Sequence, residues 1–401
     1  KKGKENDVIA PPYDVLSSLE AREMAENKPF SFLHVSRPEI DLNHEIEFND
    51  PKVYEKGAEN LSNLIKNKVL IQDDEDCLYI YEIILNQISQ TGIGCIASVE
   101  AYEKNIIKKH EYTKPVKEDD RVENISKLEA QTGPVLLAYK NTDKISKAIH
   151  KVKDQKPEYN VFAHDGSNHK IWIVNNNNQI EEILSEINSM ESLFIADGHH
   201  RSAAAARVKE KFSKKNHNHD GNENYNYFLA VAFPHSEMTI LDYNRIIRGL
   251  NGQSINSLIT NIKKNYSVKK HSKEFKPASK NTFGMYIDKN WYELNAIKEN
   301  INLTDPVKSL DVSILHDTII EPLLGIYDER TDPRIDFVGG ARGLKELENR
   351  VNNDNFDIAF ALFPTPIEAL IDVAEADKVM PPKSTWFEPK LLDGLLSHLI
   401  N

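Results

Sequence analysis

The sequence predicts an α/β protein with an α+β tendency, in which mixed sheets with hairpins are combined with helices. Short apolar segments rich in β-branched residues occur in pairs separated by turn residues, which is typical of antiparallel strands. Segments with the apolar spacing of a helix lie among them, and this mixture favours a mixed sheet over a strictly parallel one. A chain of 401 residues is expected to form two domains. We place the boundary near residue 240, between regions 1–240 and 241–401.

The N-terminal part of the first region is predicted to be extended and then helical. Within the segment Ile9–Val15, the Pro11-Pro12 pair excludes a helix until after Asp14, because proline lacks an N–H group and keeps the preceding residue extended. Either Ser17 or Ser18 fits the N-cap of the helix that follows. A further helix is predicted over Pro51–Ile65.

The middle of the region has the pattern of an antiparallel strand pair followed by a helix. The runs Cys77–Leu85 and Ile93–Tyr102 are apolar and β-branched, and a polar turn ending in Thr91-Gly92 joins them. A helix over Asp119–Ala130 and a strand over Pro134–Tyr139 are predicted next.

A second hairpin and an amphipathic helix precede residue 197. The segments Tyr159–Ala163 and Lys170–Val174 are strand-like, and Asp165-Gly166 between them favours a tight turn. Gln179–Met190 has apolar residues at helical spacing and predicts a helix. The short apolar run Ser192–Ala196 then predicts a buried strand.

The same signals predict the elements after residue 197. The helices are expected at His199–Phe212, Ser254–Asn265, Val312–Leu324 and Pro366–Glu375, and the strands at Phe228–Phe233, Met238–Leu241, Gly284–Ile287, Ile335–Val338 and Ile358–Phe363. The second region is therefore predicted to be α/β like the first.

Charge and hydropathy argue against two classes of partner. The chain has 62 Asp and Glu against 50 Lys and Arg, a net charge of −12, which is the wrong sign for neutralising nucleic-acid phosphates. No run approaches the roughly 18 apolar residues that span a bilayer. Cys77 and Cys95 lie in apolar runs, where cysteine behaves as a small buried hydrophobe. We therefore expect reduced thiols and a cytoplasmic protein, with no nucleic-acid partner and no membrane association; the oligomeric state stays open.

A strand that ends at Asp197-Gly198 and leads into a helix is the strongest candidate site. The free N–H groups and the dipole at the start of a helix attract phosphate, and a glycine lets a ligand approach the main chain closely. Arg201 adds a possible two-donor contact to phosphate or carboxylate. The alternative interpretation is that Asp197 caps the helix while the histidines cover its first turn.

The neighbouring His199 and His200 also invite a metal interpretation. Successive residues on a helix project about 100° apart, whereas the histidine pairs of helical zinc sites are four residues apart. We therefore expect no zinc at this pair.

The charged segment 110–121 is a second candidate. Pro115 favours an extended neighbour, so the segment is predicted to be a loop before the next helix. Lys117 and Arg121 suit an anionic ligand, and Glu111 is a candidate base or metal-orienting carboxylate. The alternative is a solvated loop whose charges balance.

Seven short motifs occur in order along nearly the whole chain. They are Ala10–Val15, His110–Thr113, Asp119–Arg121, Gln131–Pro134, Ala196–Arg201, Asp332–Phe337 and Met380–Phe387. Together they resemble the successive motifs of the domain of unknown function 1015 family. The Asp-Gly-His-His-Arg stretch is in turn similar to the phosphate-binding box of the ParB and sulfiredoxin superfamily, where a Gly-x-x-Arg turn opens a helix. That superfamily includes free serine kinases, which phosphorylate L-serine to O-phosphoserine with a nucleotide.

The resemblance implies a ParB/sulfiredoxin-like nucleotide-binding core in region 1–240, with ATP or ADP and Mg²⁺ as cofactors and L-serine as the substrate. It implies that nucleotide is held by Gly198, His199, His200, Arg201, Lys117 and Arg121, and substrate by Tyr13, Asp14, Thr132 and Gly133. Asp197, Glu111 and His199 are the implied catalytic residues, with Asp197 orienting Mg²⁺ and Glu111 acting as the base. Glu111 is assigned only from its position before the box.

Three functions follow from these patterns. The leading hypothesis is magnesium-dependent phosphoryl transfer to free serine, which needs positioned cations more than a protein nucleophile. The second is a ParB-like nucleotide-binding switch without turnover. The negative net charge and the lack of a basic helix-turn-helix argue against it. The third is a metabolite-binding protein without catalysis. Sulfiredoxin chemistry is disfavoured, because it needs a cysteine in the box where this chain has histidine.

Overall fold

A computed structural model of the chain describes residues 2–43, 46–47 and 49–401. The chain divides into two compact units. The first consists of Lys1–Lys109, Thr113–Met238 and Pro389–Asn401, and the second of His110–Tyr112 and Thr239–Glu388. The C-terminal segment Pro389–Asn401, which we had grouped with region 241–401, thus belongs to the first unit. The division of function between the regions stays a prediction.

The described residues contain α-helices in both units. They are α1 Glu5–Val8, α2 Ser18–Ala25, α3 Leu33–Ser36, α4 Pro51–Lys66, α5 Val99–Glu103, α6 Pro115–Leu128, α7 Asp143–Lys153, α8 Asn177–Asn188, α9 His199–Ser213, α10 Ile255–Ile262, α11 Asp311–Leu315, α12 Glu321–Leu324, α13 Gly343–Asn353 and α14 Ile367–Glu375. A π-helical turn, His316–Ile320, joins α11 to α12. Among these described helices, none is both long and apolar enough to cross a bilayer.

The strands confirm a mixed α/β fold. They are β1 Leu78–Leu85, β2 Ile88–Ser98, β3 Ile107–Lys108, β4 Ala130–Gln131, β5 Val135–Tyr139, β6 Tyr159–Phe162, β7 Asn168–Val174, β8 Leu193–Asp197, β9 Tyr227–Pro234, β10 Thr239–Leu241, β11 Tyr243–Ile247, β12 Tyr266–His271, β13 Thr282–Ile287, β14 Asn290–Ala296, β15 Ile335–Gly339, β16 Ile358–Ala361, β17 Trp386–Glu388 and β18 His398–Leu399.

The first unit is built on one mixed sheet with the strand order β3-β8-β5-β9-β2-β1-β7-β6. β5 pairs parallel with β9 and antiparallel with β8, so it lies inside the sheet, and all five of its residues are buried. A continuous apolar run of this kind is expected of a strand covered on both faces. Because β8 lies beside β5, its C-terminal residue Asp197 meets the start of β5, where Leu136 is its partner.

Two local predictions in this unit are confirmed by hydrogen bonds. Ser17 is the N-cap of α2, and its side chain and that of Glu20 form a capping box. β6 and β7 form the predicted antiparallel hairpin. Gly166 in its turn has a φ of +85°, a conformation that glycine adopts without steric cost.

The loop was predicted to be too long, because the helix predicted over Asp119–Ala130 begins at Pro115. Only 109–114 are irregular, and Lys117 and Arg121 lie in helix α6, which begins at Pro115. Proline fits the first position of a helix because the N–H group it lacks has no intrahelical partner there. Pro115 therefore disfavours a helical conformation at the residue before it and is itself the first residue of helix α6.

The boundaries of the first hairpin were also predicted wrongly. The turn consists of Asn86 and Gln87, whose φ values are +48° and +70°, and Thr91 and Gly92 lie inside β2. The strand ends at Ser98, whose side chain accepts a hydrogen bond from the Ala101 N–H at 3.2 Å and caps α5. A serine N-cap thus ends the apolar run that we had extended to residue 102.

The second unit contains an antiparallel sheet with the order β12-β14-β13-β16-β11-β15. Its core includes Ile246, Leu347 and Ala359, none of which is exposed. Strands β11, β12 and β14 were not predicted, because polar residues interrupt their apolar pattern, as in the β12 sequence Tyr-Ser-Val-Lys-Lys-His.

Motif residues of the second unit form structural contacts. Arg334 forms an ion pair with Asp332 at 2.7 Å and donates to the carbonyl oxygen of Gly325 at 2.6 Å. A Cβ atom at Gly339 would lie 2.7 Å from the Trp386 ring, so this glycine permits close packing of the ring on β15.

We expect Asp311→Asn to stabilise the protein at alkaline pH. Asp311 is 8% exposed, and one carboxylate oxygen accepts the Asn281 N–H at 2.9 Å while the other, Oδ2, is buried without a hydrogen-bond partner. Burial raises the pKa of Asp311 to about 7. In the unfolded chain the pKa is about 3.9, so the folded state binds the proton more tightly and stability falls as pH rises from about 4 to 7.

Asparagine resembles the neutral acid and does not ionise. The free energy of unfolding of Asp311→Asn minus that of the wild type should therefore be larger at pH 8 than at pH 4, by on the order of 2–4 kcal/mol. Urea unfolding at both pH values measures this change, and the exposed Asp372→Asn is the matched control. A difference between variant and wild type that does not vary with pH would contradict the prediction.

Candidate functional site

The turn between β8 and α9 has the geometry expected of a phosphate site. Gly198 is the N-cap of α9, with φ 101° and ψ 25°, a left-handed conformation that favours glycine. A Cβ atom there would lie 3.1 Å from Arg201 Nε and 3.3 Å from Val135 Cα. No side chain caps the helix, so the interpretation in which Asp197 is the cap does not hold.

Asp197 lies between two cations. Its Oδ2 atom is 3.3 Å from Lys390 Nζ and 3.8 Å from Arg201 Nη2. Burial alone would raise the pKa of Asp197, but Lys390, Arg201 and the nearby His199 hold it well below its usual range. Asp197 is therefore an ionised carboxylate with two cations beside it.

The Arg201 side chain is fixed against the main chain. Its Nη1 atom donates to the carbonyl oxygen of Pro134, and the side chain is 13% exposed. Burial alone would lower the pKa of Arg201, but the acidic groups around it, first Asp197 and then Asp14, raise it. Arg201 is thus a permanent cation beside the start of α9.

Two predicted substrate-binding residues lie near the arginines. The Arg121 guanidinium carbon is 4.1 Å from the centre of the Tyr13 ring, and Arg121 Nη2 donates to Asp120 at 2.6 Å. Burial raises the pKa of the Tyr13 hydroxyl, which the charge of Arg121 partly offsets. The electrostatic influence of Asp14 on both Tyr13 and Arg201 places it in the same cluster.

Asp393, from the C-terminal segment, completes this cluster. It is 2% exposed. Burial raises the pKa of Asp393 to about 7, and Asp14 raises it further whereas Arg201 and Arg121 lower it. Asp393 is therefore a buried acid at the border between its neutral and ionised forms at neutral pH.

The remaining predicted site residues have different surroundings. His199 is 6% exposed at the start of α9, whereas the Nε2 atom of His200 accepts the Lys114 N–H at 3.0 Å. Lys117 is exposed in the first turn of α6, and Thr132 is half-buried next to Gly133. Glu111 is half-buried and belongs to the second unit. Its role as a base stays a prediction, as do the roles of the other residues.

Lys390 and Asp393 were missed by the sequence analysis. The hydrogen bond between Lys390 and Asp197 joins residues 193 positions apart. Asp393 forms a β-bridge with Ala10, with N–H to carbonyl distances of 2.9 and 3.1 Å in the two directions. No local sequence pattern indicates contacts between residues so far apart. The nearest motif in the sequence ends at Phe387.

Comparisons with known proteins give a family and distant structural likenesses. No curated protein matches the chain. A free serine kinase in complex with AMP has a TM-score of 0.36 at 12% identity, over 73% of this chain and 86% of that one. A conserved hypothetical protein from Pyrococcus furiosus has 0.35 at 14%, over 75% and 93%. SbnI from Staphylococcus aureus, truncated at its C-terminus, has 0.38 at 9%, over 75% and 85%.

The family model described as "Protein of unknown function (DUF1015)" matches residues 1–313. This range includes the Asp197–Arg201 corner and excludes Lys390 and Asp393. The chain belongs to the DUF1015 family of proteins of unknown function.

Proposed function

We propose that the protein transfers a phosphoryl group from ATP or ADP to the hydroxyl of free L-serine and forms O-phosphoserine. The observation that supports this most is the charge arrangement at the start of α9. There Asp197 lies 3.3 Å from Lys390 and 3.8 Å from Arg201, beside a glycine N-cap in the left-handed conformation. The resemblance of this segment to the box of free serine kinases agrees with the proposal.

The first turn of α9 suits the phosphates of a nucleotide. The first N–H groups of a helix have no intrahelical partner, and the helix dipole adds roughly half a positive charge. Arg201 and Lys390 are the cations beside this turn, and together with the N–H groups they would contact the terminal phosphates. Because Gly198 has no side chain, the Arg201 guanidinium can pack against the main chain at the start of α9, with Nε 3.1 Å from where a Cβ atom would lie.

Asp197 fits a role in holding magnesium. Mg²⁺ prefers oxygen ligands and in nucleotide sites is commonly held by one or two carboxylates together with substrate phosphates. Asp197 stays ionised and is 33% exposed, so its oxygen is available to an ion that arrives with the nucleotide. When bound, Mg²⁺ neutralises charge that develops on the transferred phosphoryl group.

The residues of the site would act by positioning and charge neutralisation. The serine hydroxyl oxygen forms a bond to the terminal phosphorus, and the bond from that phosphorus to the bridging oxygen breaks. The shortened nucleotide leaves with that electron pair, and Arg201 and Lys390 stabilise its negative charge. The hydroxyl proton passes to a base, for which Glu111 stays the predicted residue.

The direct test is a product assay with purified protein. Protein, Mg²⁺ and either ATP or ADP are incubated with a panel of free amino acids, and phosphorylated products are identified by mass spectrometry. We expect O-phosphoserine from serine and no product from alanine, which lacks the hydroxyl. Nucleotide binding without product from any amino acid would contradict the kinase and favour the nucleotide-binding switch.

A further inference from the structure

The π-helical turn between α11 and α12 carries side chains that can ligate a metal ion. His316 and Asp317 lie in the turn, and Glu321 is the first residue of α12. One ligand atom from each of these three side chains lies within 4.8 Å of the other two. All three residues belong to the second unit, whereas Asp197 belongs to the first. One imidazole and two carboxylates form a set of ligands that suits a divalent transition-metal ion.

The π-helical turn is what brings His316 and Glu321 together. In a regular α-helix, residues five apart project about 140° away from each other. In a π turn the hydrogen bonds join residues five apart, so residue i+5 lies over residue i. Pro322 gives a local reason for the turn, because proline lacks the N–H group of an α-helical ladder and its ring would clash with the carbonyl group of Thr318. The backbone therefore places the imidazole and the carboxylate on one face.

The distance between these two groups is that of two ligands around one ion. His316 Nε2 is 3.5 Å from Glu321 Oε2, which is longer than the roughly 2.7–3.2 Å of an ordinary N–H···O hydrogen bond. Bonds from zinc to nitrogen or oxygen are about 2.0–2.2 Å, so two ligands at a tetrahedral angle lie roughly 3.3–3.6 Å apart. The two atoms already have the spacing of zinc ligands.

A buried carboxylate on the other side of the ring orients the imidazole. His316 Nδ1 is 3.1 Å from Oε1 of Glu329, whose side chain is 4% exposed. This carboxylate accepts the Nδ1 proton, so in the neutral ring Nε2 keeps its lone pair for a metal, and histidine ligands commonly have such a partner. The other oxygen of Glu329, Oε2, is 3.5 Å from Nη2 of the buried Arg245, which compensates its charge. Glu329 thus lies outside the proposed ligand set and supports it.

The exposed side of this group is negatively charged. Asp317 and Glu321 are both exposed, and in the described part of the chain no lysine or arginine forms an ion pair with either carboxylate. An incoming cation therefore meets two carboxylates and an imidazole without having to displace a lysine or arginine side chain. Coulomb attraction favours a doubly charged ion at such a position.

We propose that His316, Asp317 and Glu321 bind one Zn²⁺ ion, with a water molecule as its fourth ligand. Three protein ligands and a water are the usual set of an open zinc site. The proposal is independent of the proposed function. The Mg²⁺ ion proposed at Asp197 prefers oxygen ligands, whereas an imidazole selects a transition-metal ion.

Titration with Co²⁺ tests this site apart from turnover. The full chain is freed of metal with a chelator, and Co²⁺, whose visible absorption reports its ligands, is added in the presence of excess Mg²⁺. We expect the wild type to bind one equivalent of Co²⁺ more than His316→Asn, and Zn²⁺ to displace it. Glu321→Gln should weaken this binding by at least the roughly 10- to 100-fold that loss of an outer partner costs. Because Glu321 is exposed, this variant should fold even where His316→Asn does not.

The matched control is His271→Asn, in the same unit. His271 also pairs with a carboxylate, that of Glu293 at 2.8 Å, but among the described residues it belongs to no group of three potential metal ligands. This variant should bind Co²⁺ like the wild type. Absence of saturable Co²⁺ binding by the wild type would overturn the inference. Equal Co²⁺ affinity of the wild type and Glu321→Gln would overturn it as well.

Discussion

Arg201→Lys should bind ADP and ATP roughly 10- to 100-fold more weakly than the wild type, the loss expected for a charge-assisted hydrogen bond of about 1.5–3 kcal/mol. The planar guanidinium donates to the Pro134 carbonyl through Nη1 and keeps its other edge for Asp197 or a phosphate. An ammonium group is a point charge that cannot keep both contacts in one fixed plane. Isothermal titration with each nucleotide in the presence of Mg²⁺ measures the loss.

The matched control lies on the same helix. Arg207 is 43% exposed and pairs with Asp119 at 2.7 Å, so Arg207→Lys keeps a surface ion pair and should leave nucleotide affinity unchanged. Both variants retain the charge, so a difference between them reports the geometry of the guanidinium. Unchanged nucleotide affinity in a folded Arg201→Lys variant would remove Arg201 from the phosphate site.

The sequence predicted the corner at Asp197 well because its determinants are local. A short apolar strand, a glycine and an alanine-rich helix follow one another within about twenty residues, and backbone sterics then require the left-handed glycine between them. The serine N-cap of α2 was predictable for the same reason. Local backbone geometry and hydrogen bonding determine both the glycine corner and the serine N-cap, so tertiary packing changes them little.

The missing half of the candidate site depends on tertiary pairing. Lys390 and Asp393 reach the corner because the C-terminal segment returns to the first unit, where Asp393 forms a bridge with Ala10. A β-bridge between residues so far apart in the sequence produces no hydrophobic periodicity in either segment. The boundary near residue 240 therefore assigned this segment to the other region, although the element patterns on each side of it were correctly recognised as α/β.

Errors in single elements have equally specific causes. Pro115 permits two interpretations, since proline both favours an extended predecessor and fits the first position of a helix. Helix α7 was overlooked although Thr142 caps it and its apolar residues Ile145, Ile149 and Val152 have helical spacing. This helix could have been found from the sequence, whereas the contacts of Lys390 could not.

Glu111→Gln should lower turnover by about 10²–10⁴-fold if Glu111 takes the proton of the acceptor hydroxyl, which is the usual contribution of a general base. Glutamine keeps the shape of the side chain and removes the charge. Nucleotide affinity should survive, because the phosphate contacts proposed for Arg201 and Lys390 do not involve this carboxylate. Initial rates with saturating serine and nucleotide, combined with ADP titration, separate the two effects.

The control for this variant is Glu274→Gln, an exposed glutamate of the same unit, which should retain wild-type turnover. A solvated surface charge at Glu111 would change stability by roughly 0–1 kcal/mol and leave turnover alone. Equal turnover of Glu111→Gln and wild type would therefore refute the base assignment. The phosphate site at Asp197–Arg201 would stand in that case, because phosphoryl transfer through a loose transition state draws mainly on positioning and charge neutralisation.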